Sequence, residues 1–241
     1  MSNELMPFDA SALPSTDLVS ADQLTELSKG VDFLQRVQLV TKGKYVDKGK
    51  IGPGRYGVPQ TGGEDILDLG DAIDILPLCV RPKALDMRDR EAVIAVYDMD
   101  SPGFQAIKDL AAQPGGGCMW GPSFLVFERG TGTFYELFMG NKSARAESGN
   151  LIKFLAVSEE TATRQGVDSH GPLPCTLKTR YATRGQHGWH VPVVTKCSEP
   201  FTNLPEMDKI REEVTKFTEI KDNGVQNVTE EEAEAVSRRA R

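Results

Sequence analysis

The sequence predicts an α+β fold with an antiparallel, β-rich core, two or three helices and mobile termini. Three observations carry that reading. Short runs of β-branched and apolar residues recur between residues 33 and 196. Four of these runs are joined in pairs by glycine turns, the signature of hairpins. Strands and helices do not alternate with the regularity of a doubly wound parallel sheet. Both an OB-like barrel and a sandwich satisfy these constraints. The chain has 241 residues, 39% hydrophobic and 26% charged, which suits one core domain with extensions or two small domains.

Taken in order, residues 1–32 carry six acids and one lysine and read as an acidic N-terminal arm. It contains one candidate helix, with Ser20 as N-cap and Gly30 as stop. The core domain, 33–200, begins near Phe33 in VDFLQRVQLV. Further strands are expected at Ile73–Val80, Val93–Tyr97, Phe124–Glu128, Thr133–Met139, Thr176–Thr183 and Trp189–Thr195. The stretch FLVFERGTGTFYELF reads as a hairpin turning on Gly130-Thr131-Gly132, and TLKTRYATRGQHGWHVPVV as another turning between Gly185 and Gly188. Helices are expected at Pro102–Ala112, Ala144–Val157 and Pro205–Thr218. The last belongs to a C-terminal segment, 201–241, that ends in a charged tail. From residue 219 on, that tail has too little apolar surface to offset its ordering entropy.

Several function classes find no support. No apolar run approaches the roughly 20 residues that span a bilayer, and MSNELMPFDASALP has neither a basic nor an apolar region of a secretory leader. Cys79, Cys118, Cys175 and Cys197 lack CxxC spacing. A cytoplasmic, reducing compartment is therefore expected. Gly52-Pro-Gly54-Arg-Tyr-Gly57 matches G-x-G-x-x-G, but Pro59 follows where a nucleotide-binding helix would have to begin. Asp98-Met-Asp100 is explained by capping of a helix at Ser101-Pro102. The acids Glu64, Asp65, Asp68, Asp71 and Asp74 lack EF-hand spacing and read as a solvated turn. Cys175, His187, His190 and Cys197 form a Cys₂His₂ set on paper. A hairpin turning near Gln186, however, sets Cys175 opposite Cys197 at its base, roughly 30 Å from the histidines at its tip. That exceeds any zinc shell. No G-x-S-x-G occurs, and no residue set is assigned catalysis, a metal or a cofactor.

Charge is the informative feature. The stretch KGKYVDKGKIGPGRYGV, 42–58, holds Lys42, Lys44, Lys48, Lys50 and Arg55 against Asp47, a net +4. Residues 176–196 hold Lys178, Arg180, Arg184 and Lys196 and no acid, again +4. In a chain of net −7, the remainder therefore carries −15. Both segments bear aromatics: Tyr45 and Tyr56 in the first, Tyr181 and Trp189 in the second. Lys178 and Arg180 share a strand face by period two, with Leu177, Thr179 and Tyr181 on the other. Basic loops with rings suit single-stranded nucleic acid, because cations neutralise phosphates and rings stack on bases. Lys142 and Arg145, at the start of a helix, extend the candidate set.

This layout of a β-rich core and an acidic C-terminal segment resembles phage-type single-stranded DNA-binding proteins. The resemblance implies a role in phage or bacterial DNA metabolism. It also implies that Glu230, Glu231, Glu232 and Glu234 compete with DNA and recruit a protein partner. The chain departs from that pattern at its end, Arg238-Arg239-Ala240-Arg241, which is basic. The alternative reading is a viral or phage assembly subunit that self-associates through basic loops and acidic arms.

Overall fold

Fifteen residues, Ala72 to Asp86, form the longest strand among the described residues, pairing with strands on both of its edges. The computed structural model describes residues 34–60, 63–88, 93–113, 115–155, 172–199, 201 and 204–219. The arm 1–32 with its candidate helix, and the tail from 220 on, lie outside them. In chain order the elements are β1 (Arg36–Val40), α1 (Lys44–Asp47), β2 (Arg55–Pro59), β3 (Ile66–Gly70), β4 (Ala72–Asp86) and β5 (Ile94–Val96). They continue with α2 (Pro102–Ala112), β6 (Cys118–Glu128), β7 (Thr133–Phe138), α3 (Lys142–Leu155), β8 (Cys175–Arg184), β9 (His187–Lys196) and α4 (Met207–Glu219). No helix among the described residues is long and apolar enough to cross a membrane.

The strands form one sheet in the order β3-β2-β1-β7-β6-β4-β8-β9, with β5 beside the far end of β4. Both expected hairpins are present: Glu128 pairs with Thr133, and Arg184 with His187. The α+β class holds, but the sheet is open at β3 and β9, not closed into a barrel. Nor is it wholly antiparallel. β1 runs parallel to β7, with Arg36 opposite Glu136. One edge of β1 is taken by its sequence neighbour β2, and the other is filled by a strand 100 residues later.

Period-two alternation sends successive residues of β6 and β7 to opposite faces. Phe124, Val126, Tyr135 and Leu137 join Ile73, Ile75 and Leu177 in a core covered by Ala144 and Leu151 of α3. Leu125, Phe127 and Phe134 join Leu76 on the other face, where Phe217, Ile210 and Val214 of α4 pack. Phe104 and Ile107 of α2 cover Ala84, Val96 and Cys118. Ser101 caps α2 as expected, its Oγ accepting from the Phe104 N–H at 3.2 Å, with Pro102 in the first turn.

β4 outruns its expected end at Val80, where Arg81 and Lys83 interrupt the apolar pattern, because its ladder with β6 continues to Asp86. Both cations are held on the sheet by specific partners. Lys83 is fully buried and donates from Nζ to Glu136 Oε1 at 2.7 Å. The same oxygen accepts from Ser123 Oγ at 2.5 Å, and Oε2 lies 3.3 Å from Arg36 Nε. Arg81 stacks 3.6 Å over the Tyr97 ring and donates to the Phe217 carbonyl at 2.6 Å, tying β4 to α4.

Candidate nucleic-acid interface

Only the base of the β8–β9 hairpin is held by the sheet: Cys175–Lys178 pair with Ile75–Ala72 of β4. Beyond Lys178 the two strands pair with each other alone, forming a ribbon that ends in the turn Gly185-Gln186. Gly185 takes φ 62°, the left-handed conformation that a two-residue hairpin loop asks of glycine. Cys175 lies opposite Lys196, one residue from the expected register, and His187 lies at the tip opposite Arg184. Among the described residues no group of three His, Cys, Asp or Glu could hold a metal ion.

Alternation sorts the side chains of this arm. Lys178, Arg180, Ala182 and Arg184 share a face with Val193, Val191, Trp189 and His187, their cross-strand partners. Trp189 therefore sits opposite Ala182, with Arg180 and Arg184 on its diagonals, and is 37% exposed. The three cations are exposed. Tyr181 occupies the reverse face, 60% exposed, its ring 5.0 Å from that of His190.

The first basic stretch is a brace for this arm and not a flexible loop. It folds into α1 and β2, and it meets the arm at Gly54. The Gly54 carbonyl accepts from Thr179 Oγ1 at 2.8 Å. A Cβ on Gly54 would lie 2.4 Å from the His190 ring, and its φ of 80° also excludes other residues. Tyr56 donates to the Lys178 carbonyl at 3.2 Å. The structure thus brings the two basic segments together.

Within that brace the expected roles change. Tyr45 and Tyr56 are 5% and 1% exposed, so neither ring presents a face to a base. Tyr45 donates to the Gly63 carbonyl at 3.0 Å. Burial, reinforced by Glu147 and Cys175, pushes the Tyr56 phenol well above its ordinary range. Of the acids read as a solvated turn, Asp68 lies on β3, Glu64, Asp65 and Asp71 flank it and Asp74 lies on β4, where it faces Thr176 and Arg129. Arg55 Nε reaches both Asp68 oxygens, at 3.0 and 2.8 Å. Lys50 pairs with Asp65 and donates to the Glu64 carbonyl at 2.5 Å. Lys48 is exposed, whereas Lys42 and Lys44 are half-buried, with Lys44 Nζ 5.2 Å from the Tyr45 ring. Lys142 is exposed in the first turn of α3, where Asn141 Oδ1 accepts from the Ala144 N–H at 2.7 Å. Arg145 turns inward, 4.6 Å over the Trp120 ring, and donates to the Trp120 carbonyl at 2.6 Å.

Among protein-family models, curated proteins and solved structures, nothing matches this chain.

Proposed function

We propose that the protein binds single-stranded nucleic acid along the basic face of the β8–β9 arm. The observation that carries this reading is that Lys178, Arg180 and Arg184 share one face of a ribbon without acids with Trp189, which has Arg180 and Arg184 on its diagonals. Cations two residues apart on a strand stand about 7 Å from each other. They form a row that can follow a phosphate backbone and release its counterions. The indole between them supplies a stacking surface for any base. Lys48, on the bracing stretch, extends the positive field, while Lys50 and Arg55 are offset by the acids of β3.

Fluorescence anisotropy with a labelled single-stranded oligonucleotide, over a range of salt, tests the proposal. Replacing Lys178, Arg180 and Arg184 by Gln should weaken binding and flatten the salt slope by about 0.7 for each phosphate no longer neutralised. Trp189→Ala should cost about 1–3 kcal/mol of affinity while leaving the slope unchanged. Parent-like binding by the triple variant at low salt would remove the arm from consideration.

A further inference from the structure

The open sheet has two edges of unlike character, and from them we infer that the protein self-associates head to tail by strand addition. In this arrangement β3 of one copy pairs with the distal half of the arm of the next. The Gln60 N–H donates to the Asp65 carbonyl at 2.9 Å, which makes 60–65 a hydrogen-bonded pair. Antiparallel alternation then makes 58–67 the next such pair and 59–66 a non-bonded one, in keeping with Pro59, which has no N–H. The backbone groups of Ile66 and Asp68 consequently point away from β2, to an edge with no strand beside it among the described residues.

β3 contains neither proline nor lysine, and Leu67 on it is 42% exposed. The proximal half of β9 is guarded by comparison. Its outward positions are Pro192, which has no N–H, and Val194, whose N–H donates to Glu147 Oε1 at 2.8 Å. Further out, the backbones of Gly188 and His190 on β9, and of Tyr181 and Thr183 on β8, face outward with no strand alongside among the described residues. The guarding stops where the arm leaves the sheet.

Charge selects a second copy as the occupant. Glu64, Asp65, Asp68 and Asp71 line β3 and its flanks, and Lys50 and Arg55 offset two of them. The edge keeps −2, and the distal half of the arm carries +2 from Arg180 and Arg184. The two surfaces differ, so the contact is heterologous and does not close on itself. Backbone groups of the arm make this contact, leaving the cationic side-chain face to nucleic acid.

Sedimentation velocity at rising protein concentration, in low and high salt, is the test. The parent should form species larger than the monomer that grow with concentration and disappear in high salt. Leu67→Lys places the arm's own sign of charge on the edge, and Ile66→Pro removes an outward N–H without touching the β2 ladder. Each should abolish the larger species, and Leu67→Lys should still bind a labelled oligonucleotide as the parent does. That separates this proposal from the nucleic-acid reading, which the arm substitutions address. A parent that stays monomeric in low salt at every concentration overturns the proposal, as does a folded Leu67→Lys variant that associates like the parent.

Discussion

Glu136 shows what a single residue contributes. Its carboxylate, on β7, is buried among Lys83 of β4, Ser123 of β6 and Arg36 of β1, with two hydrogen bonds on Oε1 and Arg36 beside Oε2. Burial alone would push the carboxyl up. Lys83, Arg36 and the hydrogen bonds from Lys83 and Ser123 outweigh that effect and hold it down at about 2. A group whose folded pKa lies below its unfolded value stabilises the fold above the unfolded value. That stabilisation is lost as pH falls from 4.5 towards 2. Urea unfolding at pH 7, 4 and 3 should show this loss in the parent. Lys83→Met, which leaves the carboxylate buried without its ammonium, should cost about 3–5 kcal/mol at pH 7. A cost below about 1 kcal/mol, the range of a surface pair, would mean that water reaches the site. The pair was not legible in the sequence. Lys83 sits in CVRPKALD and Glu136 in TFYELF, 53 positions apart, and each alone looks like an outward-facing strand residue.

At the scale of elements, the arm is supported by the four-residue ladder to β4, the Thr179–Gly54 and Tyr56–Lys178 hydrogen bonds, and the Glu147 carboxylate that accepts from the Val194 N–H. Among the described residues, amides from 180 to 190 have at most the partner strand to protect them. They should exchange faster than those of Cys175–Lys178, with protection falling towards Gly185. Uniform protection along the hairpin would mean that another surface covers it. Gly54→Ala strains a left-handed backbone and drives a methyl into His190. It should destabilise the protein by about 1–3 kcal/mol and raise exchange at the base of the arm first. β8 was legible because its side chains alternate, with Lys178, Arg180 and Arg184 on one face and Leu177 and Tyr181 on the other, and β7 and β9 because each is joined to its partner by a glycine turn. β2 and β3 were not. Their hairpin is thick with glycine and acid, which hides the burial of Tyr56 and Val58 in the core, and the exposed pairs Arg55–Asp68 and Lys50–Asp65 that cross it are announced by no local pattern.

For the whole molecule, topology governs how the protein forms. β1 must wait for β7, a closure spanning the intervening 100 residues, and β4 must wait for β8. Such non-local pairing places folding in the slow class, roughly milliseconds to seconds. It also explains why an open mixed sheet could not be read from a sequence whose hairpins are all local: the parallel contact leaves no trace in either strand. The grouping of cations on the arm, by contrast, was partly legible, since period two along β8 needs only the sequence. The bracing role of residues 42–58 required the fold. The chain's two tryptophans fall at opposite extremes of this architecture. Trp120 is held between the Lys108 ammonium and the Arg145 guanidinium, at 5.0 and 4.6 Å, where α2 and α3 meet the sheet. Trp189 stands on the arm. The protein therefore carries two native optical reporters of separate events. In the Trp189→Phe variant, emission should follow unfolding and ignore oligonucleotide. In the Trp120→Phe variant, emission should be quenched as oligonucleotide is added, at concentrations that leave the fold untouched.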